Sequence, residues 1–127
     1  MSMTNFLENK ILNHIANKEV YTAPDKCYMA LLTSSSTDEA IGEEVVASDY
    51  TRKPIVFETS TAGILTNSTD IVFDIASENW GTLTSVAIYD AETDGNPLFY
   101  TDLAVPQEVL QDNQIIFKTG KLTIALD

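Results

Sequence analysis

The run Asp90-Ala91-Glu92-Thr93-Asp94-Gly95 places carboxylates at alternate positions and a glycine sixth, the first half of the pattern by which a calcium loop holds its ion. The second half is missing. The twelfth position, where a bidentate glutamate should close the shell, is Thr101, and the flanks read as strands where a calcium loop has helices. Asp, Gly and Asn also supply positive φ in hairpin turns. The segment therefore reads first as a turn, with a cation held by Asp90, Glu92 and Asp94 as the alternative.

His14 is the only histidine, which excludes multi-histidine metal sites and leaves one candidate general base. It lies three residues from Ile11 and seven from Leu7, so partly buried packing beside an apolar stripe is expected ahead of catalysis. No serine sits in a G-x-S-x-G elbow and no glycine-rich phosphate loop is present. The expectation is no catalytic residue, no cofactor and no metal. Trp80 and Tyr89 could form an aromatic platform for a sugar, with Tyr21, Tyr28, Tyr50 and Tyr100 adding amphipathic rings, but core or interface packing is the plainer expectation. Cys27, in an apolar run, reads as a small buried hydrophobe. Asp38, Glu39, Glu43 and Glu44 read as a solvated acidic loop.

These residues must be positioned by short β elements. Trp80 to Asp90, the turn Ala91 to Asn96 and the run Pro97 to Leu103 form the clearest hairpin signal. The expected strands are Cys27 to Leu32, apolar on both faces, then Thr51 to Phe57, Ile71 to Ile75, Leu83 to Tyr89, Leu98 to Leu103, Ile115 to Phe117 and Leu122 to Leu126. Alternation predicts Ile71, Phe73 and Ile75 on one buried face, and likewise Leu122, Ile124 and Leu126. One amphipathic helix is predicted over about residues 5–18, capped by Asn5 with Glu8 three residues on, its stripe Leu7, Ile11 and Ile15 widened by Leu12. Thr33 to Glu44 is the longest loop, expected to be functional or mobile. The fold class is mainly β: an antiparallel β-sandwich of about seven strands with one N-terminal α-helix.

With 127 residues the chain fits one domain, 1–127, burying roughly two thirds of its unfolded surface. Nineteen acidic against seven basic residues give a net charge of −12, which repels phosphate backbones and anionic lipids, so neither nucleic acid nor membrane is an expected partner. No apolar stretch approaches the roughly 18 residues that cross a bilayer. One cysteine cannot form an internal disulfide and the first residues lack a signal-peptide pattern, so synthesis in a reducing cytoplasm is expected and the sequon Asn67-Ser68-Thr69 has no glycosylation role.

Thr4 to His14, Tyr21-Thr22-Ala23-Pro24 and Tyr28 to Thr33 resemble the opening of a family of small tailed-bacteriophage structural proteins, usually described as tail-fibre-like. The resemblance continues through Tyr50-Thr51-Arg52, Trp80-Gly81-Thr82, Ala87 to Ala91, Phe117 and Gly120 to Ile124, to Leu126-Asp127. Two departures stand out. A usual Gly-Gly pair in the central turn is replaced by Asp94-Gly95-Asn96-Pro97, and a usual glycine before the penultimate strand by Asp112-Asn113. Asn and Asp tolerate left-handed backbone, so both are expected to turn.

The resemblance implies a multi-copy virion component, tail-fibre-like or a capsid decoration or head fibre, with other virion proteins as partners and no catalytic residues to transfer. A homo-oligomer of cyclic symmetry is expected, a trimer being the commonest choice for phage fibres. Phe6 and Leu7 are the expected assembly contacts. One rival is a carbohydrate- or host-receptor-binding module, which would expose Trp80; the other is a small enzyme using His14 or the pair Asp90 and Glu92.

Overall fold

In a computed structural model that describes residues 1–126, the chain is mainly antiparallel β with one helix near its start. Asp127, where the family resemblance and the expected domain end, lies outside the described residues. The elements run β1 (Ser2–Met3), α1 (Asn5–Ile15), β2 (Cys27–Leu32), β3 (Lys53–Ile55), β4 (Ile64–Thr66), β5 (Ile71–Val72), β6 (Gly81–Tyr89), β7 (Pro97–Val109), β8 (Ile116–Phe117) and β9 (Thr123–Ala125). Among the described residues there are nine strands where about seven were expected: the two-residue β1 and the three-residue β4 are too short for their patterns to register.

Five strands form one sheet in the order β1-β7-β6-β2-β3, and β4 with β9 and β5 with β8 form two-stranded ribbons. The central pair β2 and β6 is aligned so that Met29 faces Ile88, Ala30 faces Ala87 and Leu31 faces Val86. Alternation then sends Met29, Leu31, Val86 and Ile88 to one side, where they meet Ile71, Phe73, Leu122 and Ile124 from the ribbon segments in the main core. Ala30, Leu32 and Ala87 point the other way, beneath Ile41 of the long loop and Tyr89 and Tyr100. A strand covered on both faces is the physical reason that the run Cys27–Leu32 is apolar throughout.

The ribbons are tied down by a buried amide, that of the first residue of the sequon Asn67-Ser68-Thr69. Asn67 is 1% exposed. Its Nδ2 donates to the carbonyls of Thr69 (2.8 Å) and Lys118 (3.1 Å), and its Oδ1 accepts from the Leu122 N–H at 3.0 Å. This places β9 beside β4 and leaves no amide free for modification in the folded chain.

Several expectations are corrected. Ile75 and Leu126 are exposed, because the chain leaves the β5–β8 pairing after Val72 and the β4–β9 pairing after Ala125, so alternation no longer governs which way their side chains point. The loop from Thr33 to Glu44 is closed on itself. Thr33 N–H donates to Glu43 O, Val45 N–H to Leu31 O, Gly42 N–H to Ser36 Oγ and Glu43 N–H to Ser34 Oγ. Asn5 N–H donates to Asp38 O, tying the loop to the helix start.

The helix differs in three respects. Thr4, not Asn5, is the N-cap: its hydroxyl accepts from Leu7 N–H and donates to Pro97 O at 2.8 Å, fastening the helix start to β7. The helix ends at Ile15, earlier than residue 18, because Asn17 takes a left-handed conformation (φ 59°) and Lys18 N–H turns back to Asn13 O. Of its apolar stripe only Leu7 is buried; Ile11 is half-buried, and Leu12 and Ile15 stand in water.

Candidate functional site

The turn between β6 and β7 is built as a turn. Asp90 Oδ1 accepts from Asn96 N–H at 2.7 Å and Oδ2 from Asn96 Nδ2 at 3.2 Å, so the carboxylate closes its own hairpin. Asp94 and Gly95 both have positive φ, 53° and 71°, and a Cβ on Gly95 would lie 2.5 Å from Asp90 Oδ1. Asp112, at the second departure from the family pattern, is likewise left-handed at φ 71°. Among the described residues no group of three or more His, Cys, Asp or Glu is placed to hold a metal ion, so Asp90, Glu92 and Asp94 are not brought together as a cation site.

His14 is exposed, contrary to the packing expected of it, and its Nδ1 accepts from Tyr21 N–H at 3.2 Å, holding the chain that follows the helix. Trp80 and Tyr89 sit at opposite ends of the nine-residue region of β6 and do not form one platform. The indole of Trp80 is buried edge-on against Tyr50, with centroids 5.6 Å apart, and its Nε1 donates to Asp49 Oδ1 at 3.0 Å. Ser77 N–H donates to Asp49 Oδ2 at 2.6 Å, and these two hydrogen bonds, Ser77's first, hold the Asp49 carboxyl below its ordinary value. Cys27 is only half-buried, and burial together with the nearby Asp90 charge pushes its thiol up, the direction of an inert cysteine.

Tyr89 belongs to a constellation that the residue patterns did not reveal. Arg52 is 8% exposed, lying between the end of the long loop and the β6–β7 turn. Its Nε and Nη2 donate to Glu44 Oε2 (3.0 Å) and Oε1 (2.9 Å) in a two-pronged pair, while Nη1 donates to the carbonyls of Ala91 (3.0 Å) and Asp94 (2.7 Å). Its guanidinium carbon sits 3.6 Å from the Tyr89 ring centroid. Tyr50 Oη donates to Glu44 Oε2 at 2.6 Å and accepts from Leu31 N–H at 3.0 Å. Burial alone would lower Arg52, but the hydrogen bonds and charge of Glu44 hold it above its ordinary value; burial, then the bond to Glu44, pushes the Tyr50 phenol up. Glu44 is therefore no solvated loop charge. Four of the five guanidinium N–H groups donate to protein acceptors, so the arrangement is a latch between loop and turn. Tyr50 and Arg52 were visible only as part of a family motif, and their partner Glu44 is eight residues away in a different element.

The expected assembly residues divide. Leu7 is buried in its own chain, and Phe6 is half-buried with the Lys10 ammonium 5.7 Å from its ring centroid. The large uncovered apolar side chains of this region are Leu12, Ile15 and Val20. They lie at and just beyond the end of α1, where no strand reaches: α1 lies over β7, whose only further neighbour at that sheet edge is the two-residue β1.

Residues 2–125 match the family model described as Podophage GP4 fiber I protein gp80. No match is found among curated proteins.

Proposed function

The chain belongs to this podophage fibre protein family, and we infer that it serves as a non-enzymatic structural subunit of a tailed-phage virion, acting through protein–protein assembly. The observation that carries the assembly reading is the uncovered end of α1, where Leu12 and Ile15 present aliphatic surface that the chain's own fold leaves in water. The rest of the molecule supports it: the residues with the most chemical potential, Arg52, Glu44, Asp90 and Asp49, are spent on internal hydrogen bonds that fix loops and turns. Loops and turns fixed in this way suit a part that holds neighbours in place. Phe6 joins the uncovered helix residues as a proposed contact, and the whole of 1–127 is proposed to act as one domain. Attachment as a fibre takes precedence over capsid decoration because the family is one of fibre proteins.

The test is composition and position in the particle. Purified virions are expected to contain this chain in multiple copies by quantitative mass spectrometry, with density for its five-stranded sheet at the fibre attachment region. Its absence from purified particles would overturn the reading.

A further inference from the structure

The outer neighbour of β7, the short β1, reaches only Phe99 and Tyr100. On the other side, between the pairs Ser85–Asp102 and Leu83–Gln107, the ladder with β6 fails, and Leu103 to Pro106 bulge out opposite Thr84 alone, whose hydroxyl is buried without a hydrogen-bond partner. Leu103 and Val105 of this bulge, Leu83 of β6 and Ile115, Ile116 and Phe117 line a groove of about 490 Å³. The β8 side of the groove has an open strand edge. Phe73 N–H donates to Ile115 O at 3.0 Å and Ile71 pairs with Phe117, so Ile115 and Phe117 turn their backbone groups towards β5, while Ile116, between them, turns its N–H and C=O away. Among the described residues β8 has no strand on that side. Val72 and Ile116, opposite each other across the ribbon, both remain uncovered, 46 and 41% exposed. A ribbon of two residues per strand is shorter than strands usually are and gains from a third. β7 cannot supply it, because the segment that lines the groove is bulged and Pro106 has no N–H to give.

The groove itself is uncharged, but its flanks are acidic. Residues 101–117 contain Asp102, Glu108 and Asp112, all exposed, and no lysine or arginine; Lys118, next in sequence, is paired with Asp70 at 3.5 Å. Asp102 and Glu108 bound the β7 wall in sequence, and Asp112 precedes the β8 wall. A second copy of this chain, with its net charge of −12, is repelled here, whereas a basic segment is drawn in. We propose that an extended segment of another virion protein, aliphatic at alternate positions and flanked by basic residues, occupies the groove as a third strand beside β8. Its backbone pairs with Ile116, its aliphatic side chains cover Leu103 and Val105, and its basic flanks meet Asp102 and Glu108. The proposal rests on the virion-subunit reading and adds the chemistry of a partner.

The probe is a synthetic peptide of alternating valine and threonine with a pair of lysines at each end, titrated into the full chain and followed by backbone amide shifts and hydrogen exchange. The expected result is a set of shifts confined to residues 103–107 and 114–117, slowed exchange of the Ile116 amide, and binding that weakens as salt screens the flanking charges. The same peptide with glutamates in place of its lysines should bind about tenfold more weakly, and one with a central proline should not protect Ile116. Asp102→Lys combined with Glu108→Lys, both at exposed positions, should reverse the preference between the lysine and glutamate peptides with an unchanged circular dichroism spectrum. No binding of the lysine peptide, equal binding of the glutamate peptide, shifts centred outside the groove, or a preference that survives the double substitution each overturns the proposal. Groove shifts that grow with protein concentration in the absence of peptide also overturn it, in favour of a second copy. A chain found in virions whose groove takes no peptide refutes this site alone; one that binds the peptide but is missing from virions refutes the virion reading and leaves the groove a strand-binding site.

Discussion

Val86-Ala87-Ile88 in β6 and Leu12 to Ile15 in α1 are both stretches rich in aliphatic side chains, and they meet opposite fates. The first is buried on both faces, by the ribbons on one side and the closed loop with Ile41 on the other. The second is anchored by a single turn and then runs out past the sheet. The difference lies in what the chain supplies as cover. β6 is central in a five-stranded sheet with neighbours on both edges, whereas beyond β7 the chain provides only two residues of β1. Apolar surface that the chain does not cover is what an assembling protein offers to its neighbours.

The contrast can be broken hardest in the core. Phe73 is fully buried, stacked on Tyr50 at 6.3 Å and edge-on to Phe117 at 6.2 Å. Phe73→Ala should cost about 3–5 kcal/mol, read as a fall in the denaturation midpoint at constant slope. Arg52→Ala comes next. It strands Glu44, whose side chain is 26% exposed, and frees two turn carbonyls, for an expected loss of about 2–3 kcal/mol by chemical denaturation, with the β6–β7 turn losing amide protection from exchange. If Arg52→Ala proved neutral, the latch would not be a determinant of the fold.

A smaller effect appears on the acid side. Asp49 is held below its ordinary value of 3.8 by its hydrogen bonds to Ser77 and Trp80. A carboxyl lowered on folding contributes stability that is fully present above 3.8 and is lost as the pH falls below that through the folded value. Trp80 fluorescence should follow that loss, and Asp49→Asn should flatten this part of the acid titration. The smallest expected effect belongs to the exposed helix end: Leu12→Glu with Ile15→Glu should change the stability of the monomer by no more than about 0.5 kcal/mol per substitution, because neither side chain is buried. A loss as large as that of Phe73→Ala would mean that the two regions do not differ as described.

Much of the fold was legible in short-range pattern. The bounds of Cys27–Leu32 coincide with β2, and the acidic turn with its left-handed Asp94 and Gly95 lies where Asp and Gly were expected to turn. The candidate site was far less legible. Arg52 gave no signal because its partners Glu44, Ala91 and Asp94 are separated from it by 8, 39 and 42 positions, and no periodicity relates them. Asn67 looked like a sequon because its neighbours fit that pattern; its clamp partners at 118 and 122 are distant in sequence. His14 was misplaced with the stripe around it, since adjacency to apolar residues says which helix face a side chain shares and nothing about whether that face is covered.

What the sequence determined by itself is local: a short helix near the start, a series of strands of period two, the residues able to turn, a strongly acidic balance, and a family resemblance carried by motifs in order. These follow from backbone preference and side-chain alternation, which act over a few residues. The tertiary structure alone decided which apolar faces are covered, that Trp80 is enclosed while Leu12 and Ile15 are bare, and that Glu44 and Arg52 face each other. Those outcomes depend on where distant segments end and on how far a two-residue edge strand can reach, and no window of the chain contains that information.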